Sequence, residues 1–361
     1  MNWSRELPAI TLLILLLLPS TWLLLGTEIY SQVAMASPKC LDDVDGEHFG
    51  NQPNSYDVTS YGNDLEWVNT SNYGIDTWAN ITISIEGENI ELAAWYAEQN
   101  PGGPTVILTH GVRSCKEDSS ILMPGAMLYN AGFNVIAFDM RDHGESTIED
   151  MRVSAGQKEW RDLIAVWEWV RDIGGVPEEQ IGVFGNSMGA ATVAIAFAQE
   201  TSMQVIWIEA SWYDMDRIVR SELARSGFPQ NLATAAIWAG IAGAGEDITA
   251  LPPSDAAQNV GNRSMYLLHN KMDERIIIDH GEDMCADAKD SVEMEGRVEC
   301  WMPSTSFNNS GYTDGPIGHI VTMLTMTDMY EQNLVNWFAN ELGHQFPLEY
   351  QPIASGSTPP L

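Results

Sequence analysis

Short apolar or alternating runs recur from residue 81 onward, and most of the later ones are separated by stretches in which apolar residues return every three or four positions. The runs lie at 81–85 (ITISI), 90–96 (IELAAWY), 105–110 (TVILTH), 134–139 (NVIAFD), 181–184 (IGVF), 204–209 (QVIWIE), 264–269 (SMYLLH) and 297–301 (RVECW). Their length and β-branched or aromatic content predict eight strands. Helical spacing covers 119–131, 156–173, 189–200, 279–290 and 326–342, the second with a stripe of Trp160, Leu163, Ile164, Trp167 and Val170. Strands alternating with helices in this way predict an α/β domain, its eight-stranded, mainly parallel sheet covered on both faces.

More than fifty residues separate the sixth run from the seventh, which predicts a helical insertion over 211–260; above the strand tips it would form a lid. Residues 37–80 are polar and lack a sustained period, so they read as an irregular lead-in to a domain spanning 81–346. The end, 347–361 (PLEYQPIASGSTPPL), reads as a disordered tail. No charge occurs from Leu7 to Thr27, and Ile10 to Leu25 is almost wholly apolar. Residues 1–36 therefore read as a membrane anchor through 7–27, or as a leader cut near Ala34-Met35-Ala36, placed in a bilayer and not in the core. Arg5 before the run keeps that end inside, so the domain is expected outside the cytoplasm, anchored or secreted.

Charge narrows the partners. Fifty acidic against 17 basic residues give a formal net charge of −33, which repels phosphate backbones and disfavours strongly anionic substrates, so nucleic acid is excluded as a partner. The same surface suits a salty medium.

Candidate chemistry centres on Gly185-Asn186-Ser187-Met188-Gly189, directly after the 181–184 strand and before the small-residue helix 190–200. Strand, tight turn and helix in that order lift the Ser187 hydroxyl off the sheet and aim the Met188 amide at developing negative charge. A serine hydroxyl needs a histidine base and an acid to orient it, and in this arrangement they follow in the order Ser, acid, His. Asp273, just past the 264–269 strand, and His319, beyond the 297–301 strand, meet that order. Glu209 and Asp279 compete as acids. His110, His143 and His269 compete as bases, but the first two precede the serine and the third ends a strand.

With His110-Gly111-Val112, Phe138 to Ser146 (FDMRDHGES), Gly185 to Gly189, Asp255-Ala256-Ala257, His269 to Asp273 and Gly318-His319, residues 81–342 resemble the α/β-hydrolase superfamily, in particular its serine-aminopeptidase-like and acyl-thioester-hydrolase-like branch. That resemblance implies Ser187 as nucleophile, Asp273 as acid, His319 as base and the amides of Val112 and Met188 as oxyanion hole. It implies a cofactor-free, metal-free hydrolase of small carboxylic esters, with peptide, amide or thioester cleavage, or a silent ligand-binding member, as alternatives. Two features depart from the pattern: Asp142 stands where a small residue is usual, and 302–318 makes a long approach to His319. Both bear on the shape of the substrate pocket.

Cys40, Cys115, Cys285 and Cys300 allow three pairings, with buried thiols as the alternative; their spacing does not suit zinc. A helix carrying Cys285 beside the strand carrying Cys300 predicts that bridge, leaving Cys40 with Cys115. The acidic surface also yields a prediction. Salt should screen its self-repulsion, so the melting temperature should rise between low salt and about 1 M; a level or falling value in a thermal melt would contradict it.

Overall fold

The computed structural model describes residues 20–31, 34–36, 40, 50–58, 65, 70–244, 247–308, 316–347, 350 and 352. Most of the predicted tail, much of the lead-in and the apolar run before residue 20 lie outside the described residues. Eight strands form one sheet: β1 (Ala79–Ser84), β2 (Glu91–Ala97), β3 (Thr105–Thr109), β4 (Asn134–Phe138), β5 (Ile181–Asn186), β6 (Val205–Glu209), β7 (Ser264–Leu268) and β8 (Arg297–Trp301). Their order is β1-β2-β4-β3-β5-β6-β7-β8, antiparallel where β2 meets β1 and β4 and parallel elsewhere.

The central strands β3 to β7 are buried along their whole length, and the two-residue period divides their side chains between two cores. Ile107, Val183, Ile206 and Met265 face α3 (Glu159–Asp172), α4 (Met188–Gln199) and α8 (Ile278–Ser291). Leu108, Phe184, Trp207 and Tyr266 face α2 (Ser119–Asn130) and α10 (Thr327–Glu341). Strands apolar on both faces can be stable only between two helical layers, and those layers are present. Single apolar residues of the lead-in, Tyr56, Leu65, Tyr73 and Ile75 among them, bury in the second core. Isolated anchors of this kind have no period to announce them.

The insertion supplies α5 (Met215–Arg225), α6 (Ala233–Ala244) and α7 (Ser254–Gln258). The approach to His319 pairs β9 (Phe307–Asn308) with β10 (Pro316–Ile317) before α9 (Thr322–Thr325).

The anchor or leader expected over residues 1–36 falls largely on residues 1–19, which lie outside the described residues. Residues 20–31, the described end of the apolar run, form helix α1, and α1 lies on protein: Ile29 clusters with Leu223, Ala233 and Ala236, and Trp22 meets Trp238 edge-on at 6.3 Å. Uncharged, apolar α6 covers the Gly26, Ile29 and Tyr30 side of α1, while Leu23, Leu24 and Leu25 stay exposed. Among the described residues no helix is long and apolar enough to cross a membrane.

Both predicted bridges are present, Cys285–Cys300 with Cα atoms 6.1 Å apart and Cys40–Cys115 at 5.6 Å. The first closes a separation of 15 residues between α8 and β8. Replacing both of its cysteines by serine should lower unfolding free energy by about 3 kcal/mol through release of the unfolded chain. Urea unfolding measures this, and an unchanged midpoint would refute it.

Candidate active site

Ser187 is the single residue between β5 and α4, with φ 51° and ψ −123°. A side chain rarely adopts such a conformation, at a cost of about 1–3 kcal/mol, unless its surroundings impose it. They do so through close backbone approach. A Cβ on Gly189 would stand 2.2 Å from the Thr109 carbonyl oxygen, and one on Gly185 would stand 2.5 Å from that of Gly189. Only glycine lets α4 rise so close to the ends of β3 and β5. The Ser187 amide donates to the Glu209 carbonyl at 2.8 Å, which fixes the turn against β6.

Asp273 follows β7, and His319 follows β10 by one residue. The His319 Nε2 lies 3.0 Å from Ser187 Oγ, and its Nδ1 lies 2.8 Å from Asp273 Oδ2. The other Asp273 oxygen accepts the amides of Arg275 and Ile276 at 2.9 and 2.8 Å. Burial alone would raise the Asp273 carboxyl. Attraction to His319 and the hydrogen bond between them, helped by the Ile276 amide, outweigh it and hold the group below its ordinary value. An ionised Asp273 accepts from the His319 Nδ1–H, which leaves Nε2 as the acceptor facing the Ser187 hydroxyl.

Two positioning residues escape sequence reasoning. Glu274 accepts the amides of Gly318 and His319 at 2.7 and 3.1 Å. Asn270 donates to the carbonyls of Gly318 and Thr305 at 2.7 and 2.6 Å. Together they clamp the His319 loop to the Asp273 loop. Proximity to Asp273 in the chain was the single signal available.

Val112 and Met188 line one cavity with Ser187 and His319, about 400 Å³ in volume and roofed by α5 and α6. Met188 also opens α4, so the positive end of a helix dipole faces the serine. The competing histidines are engaged elsewhere. His110 Nε2 accepts the Met140 amide at 3.0 Å, so its Nδ1 donates to the Gly111 carbonyl at 2.7 Å. His143 and His269 bond the carbonyls of Arg141 and Ile276 at 2.9 and 2.7 Å. Asp279 is exposed in the first turn of α8. Asp142 does not line the cavity: with φ 64°, it turns inward and accepts the amides of Glu149, Asp150 and Met151. Its departure from the usual small residue therefore shapes a loop and leaves the pocket untouched, since a carboxylate suits the left-handed turn and the three converging amides.

Residues 124–297 match the prolyl oligopeptidase family. An uncharacterized 31.7 kDa protein from the traX-finO intergenic region of Escherichia coli is 33% identical over 150 residues, 41% of this chain and 51% of that protein. The chain thus spans about half the length of that curated relative. Thiohydrolase aneE of Aspergillus aculeatus is 26% identical over 126 residues, 34% of this chain and 38% of its own. The Pyrococcus furiosus esterase Pf2001 matches with a TM-score of 0.57 at 20% identity, covering 73% of this chain and 91% of that one. The chain has the α/β-hydrolase fold. Oligopeptidase B from Leishmania major shares that α/β-hydrolase architecture, with a TM-score of 0.54 at 10% identity over 75% of this chain and 37% of its own.

Glu209, considered above as an acid, sits at the tip of β6, wholly buried, and accepts the Tyr330 hydroxyl at 2.8 Å. Burial, with the Asp273 charge adding to it, pushes its carboxyl up to about 8 despite the Tyr330 bond. Near pH 4 the carboxyl is protonated in folded and unfolded chains alike. As pH rises from there to about 8 the unfolded chain loses this proton and the folded one keeps it, so stability declines. Glu209→Gln never titrates. It should melt with the wild type near pH 4 and on the order of 5 °C above it at pH 8.5; calorimetry showing no difference at the higher pH would contradict the raised value.

Proposed function

We propose that this α/β hydrolase is a serine hydrolase that cleaves small carboxylic esters, with Ser187 as nucleophile, His319 as base, Asp273 as orienting acid, and the Val112 and Met188 amides as oxyanion donors. The observation that carries the reading is the continuous chain from Ser187 Oγ through His319 to Asp273, at 3.0 and 2.8 Å. As Ser187 Oγ bonds to the ester carbonyl carbon, its proton passes to His319 Nε2 and the carbonyl oxygen becomes an oxyanion held by the two amides. Collapse breaks the ester C–O bond, and His319 returns the proton to the departing alcohol. Water, deprotonated by His319, then attacks the acyl-enzyme, releasing the carboxylic acid and restoring Ser187.

An ester is favoured over a peptide by the cavity beside Ser187, whose walls are mostly apolar: Ile29, Met215, Ile218, Leu223 and Ile248 offer few partners for a peptide backbone. The match of residues 124–297 to the prolyl oligopeptidase family keeps peptide cleavage as the second reading. The two disulfides suit an oxidising compartment, in keeping with a domain outside the cytoplasm.

Two measurements test the proposal. A fluorophosphonate probe should label wild type at Ser187, and a panel of esters, aminoacyl amides and thioesters should show the ester preference. Ser187→Ala should lose labelling and about four to six orders of magnitude in kcat while keeping the wild-type melting profile. Ester turnover near the wild-type rate in that variant would end the assignment.

A further inference from the structure

The end of the segment expected as an anchor or leader forms part of the cavity wall. Ile29, Tyr30 and Ala34 line the same space as Ser187 and His319, and Ile29 packs against Leu223 of α5 and Ala236 of α6, which line it too. The packing is close. A Cβ on Gly26 would fall 2.4 Å from the Ala235 carbonyl oxygen, so α1 and α6 touch backbone to backbone. The Tyr30 ring lies over Gly240 and Gly243, where added Cβ atoms would approach it to 3.3 and 2.6 Å, and Arg152 covers that ring at 5.6 Å.

The connection that follows is stitched down as well. The Val153 amide donates to the Ala34 carbonyl at 2.8 Å, and the Ala36 amide donates to the Met151 carbonyl at 3.1 Å. Cys40 is then bonded to Cys115. The small-residue site Ala34-Met35-Ala36 is therefore paired to 151–153, and a cut there would separate the Ile29 wall from the chain that holds it.

We infer that α1 is a permanent wall of an acyl-chain site, whose ligand is an aliphatic acyl chain running from the Ser187 hydroxyl toward Ile29. Apolar side chains from three helices, Ile29, Met215, Ile218, Leu223 and Ala236, supply the contact. Of the charged side chains on the same cavity, Glu222 and Arg225 pair with each other at 2.6 Å, while Arg113 and Arg275 add positive charge to its wall. An acetyl group would leave most of the roughly 400 Å³ unfilled, while a longer chain gains by filling it.

The inference rests on the serine-hydrolase reading for the position of the acyl carbonyl, and the test separates the two. The ratio of kcat/KM for p-nitrophenyl octanoate to that for the acetate is measured in the full-length protein. Ile29→Ala should lower the ratio about tenfold by removing apolar contact, and Ile29→Trp should shift the optimum toward acetate by filling the site. Octanoate binding is measured by calorimetry in the Ser187→Ala protein, where no turnover is needed, and adding Ile29→Ala should weaken it about tenfold. A chain-length profile and octanoate affinity that neither substitution moves would overturn the acyl site. Absent labelling and turnover with Ile29-dependent octanoate binding would instead uphold the site and remove the hydrolase reading. Mass spectrometry of the active protein should recover peptides from residues 20–36, and a mature protein beginning after Ala36 with full octanoate preference would overturn the inference.

Discussion

Hydrogen atoms stand at Gly185 and Gly189 where any side chain would strike backbone, and the top of the sheet depends on that absence. Because α4 can approach the ends of β3 and β5 so closely, Ser187 is held in a conformation that its own preferences oppose. The constraint then spreads across the sheet in steps. Asn186 is in register with Glu209 and Glu209 with Leu268, and the Ser187 and Ala210 amides bond the carbonyls of Glu209 and Leu268 at 2.8 and 2.9 Å. Each strand tip is thus measured from its neighbour, and the loop bearing Asp273 begins at a fixed distance from the serine.

Scarce cations support the loops around this frame. Arg141 reaches Asp162 at 2.7 Å and Glu88 at 2.9 Å, while Lys116 reaches Asp139 at 2.6 Å and Glu145 at 2.7 Å. Both cations are buried, and buried pairs add little net stability compared with apolar residues of the same volume. What they do supply is conformation. Asp139 also accepts the backbone amides of Lys116 and Glu145, so one carboxylate ties the loop after β3 to the loop after β4. Each cation is buried with a carboxylate, so these pairs are neutral and the net charge of −33 rests on the remaining residues.

Much of this arrangement was legible in the sequence because its signals are local. Central strands such as Val205–Glu209 need apolar residues on both faces, and the elbow needs its two glycines at fixed spacing, so period and motif report them directly. The order of strand tips admits His319 and Asp273 after Ser187, and the family resemblance selects Asp273 over Glu209 and Asp279. What escaped depends on partners distant in the chain. Nothing near Glu274 announces that it will receive the amides of Gly318 and His319, and nothing near Asp142 announces the three amides it caps. The contact of helix α1 with α6 escaped for the same reason: apolar composition does not say which surface a segment meets, and α6 lies some two hundred residues further on.

That separation has a consequence for the order in which the molecule is made. Gly26 leaves the ribosome long before Ala235, against which it packs, and at about 5–20 residues per second the delay is roughly 10–40 s. During that interval α1 has no docking site. Contacts so remote in the chain carry a high closure cost and form late, so the elbow and the central strands can assemble while the cavity still lacks a wall. Nascent protein can therefore pass through a stage in which a serine turn is already built beside an open, apolar trough, and a helix made early is among the last to take its place.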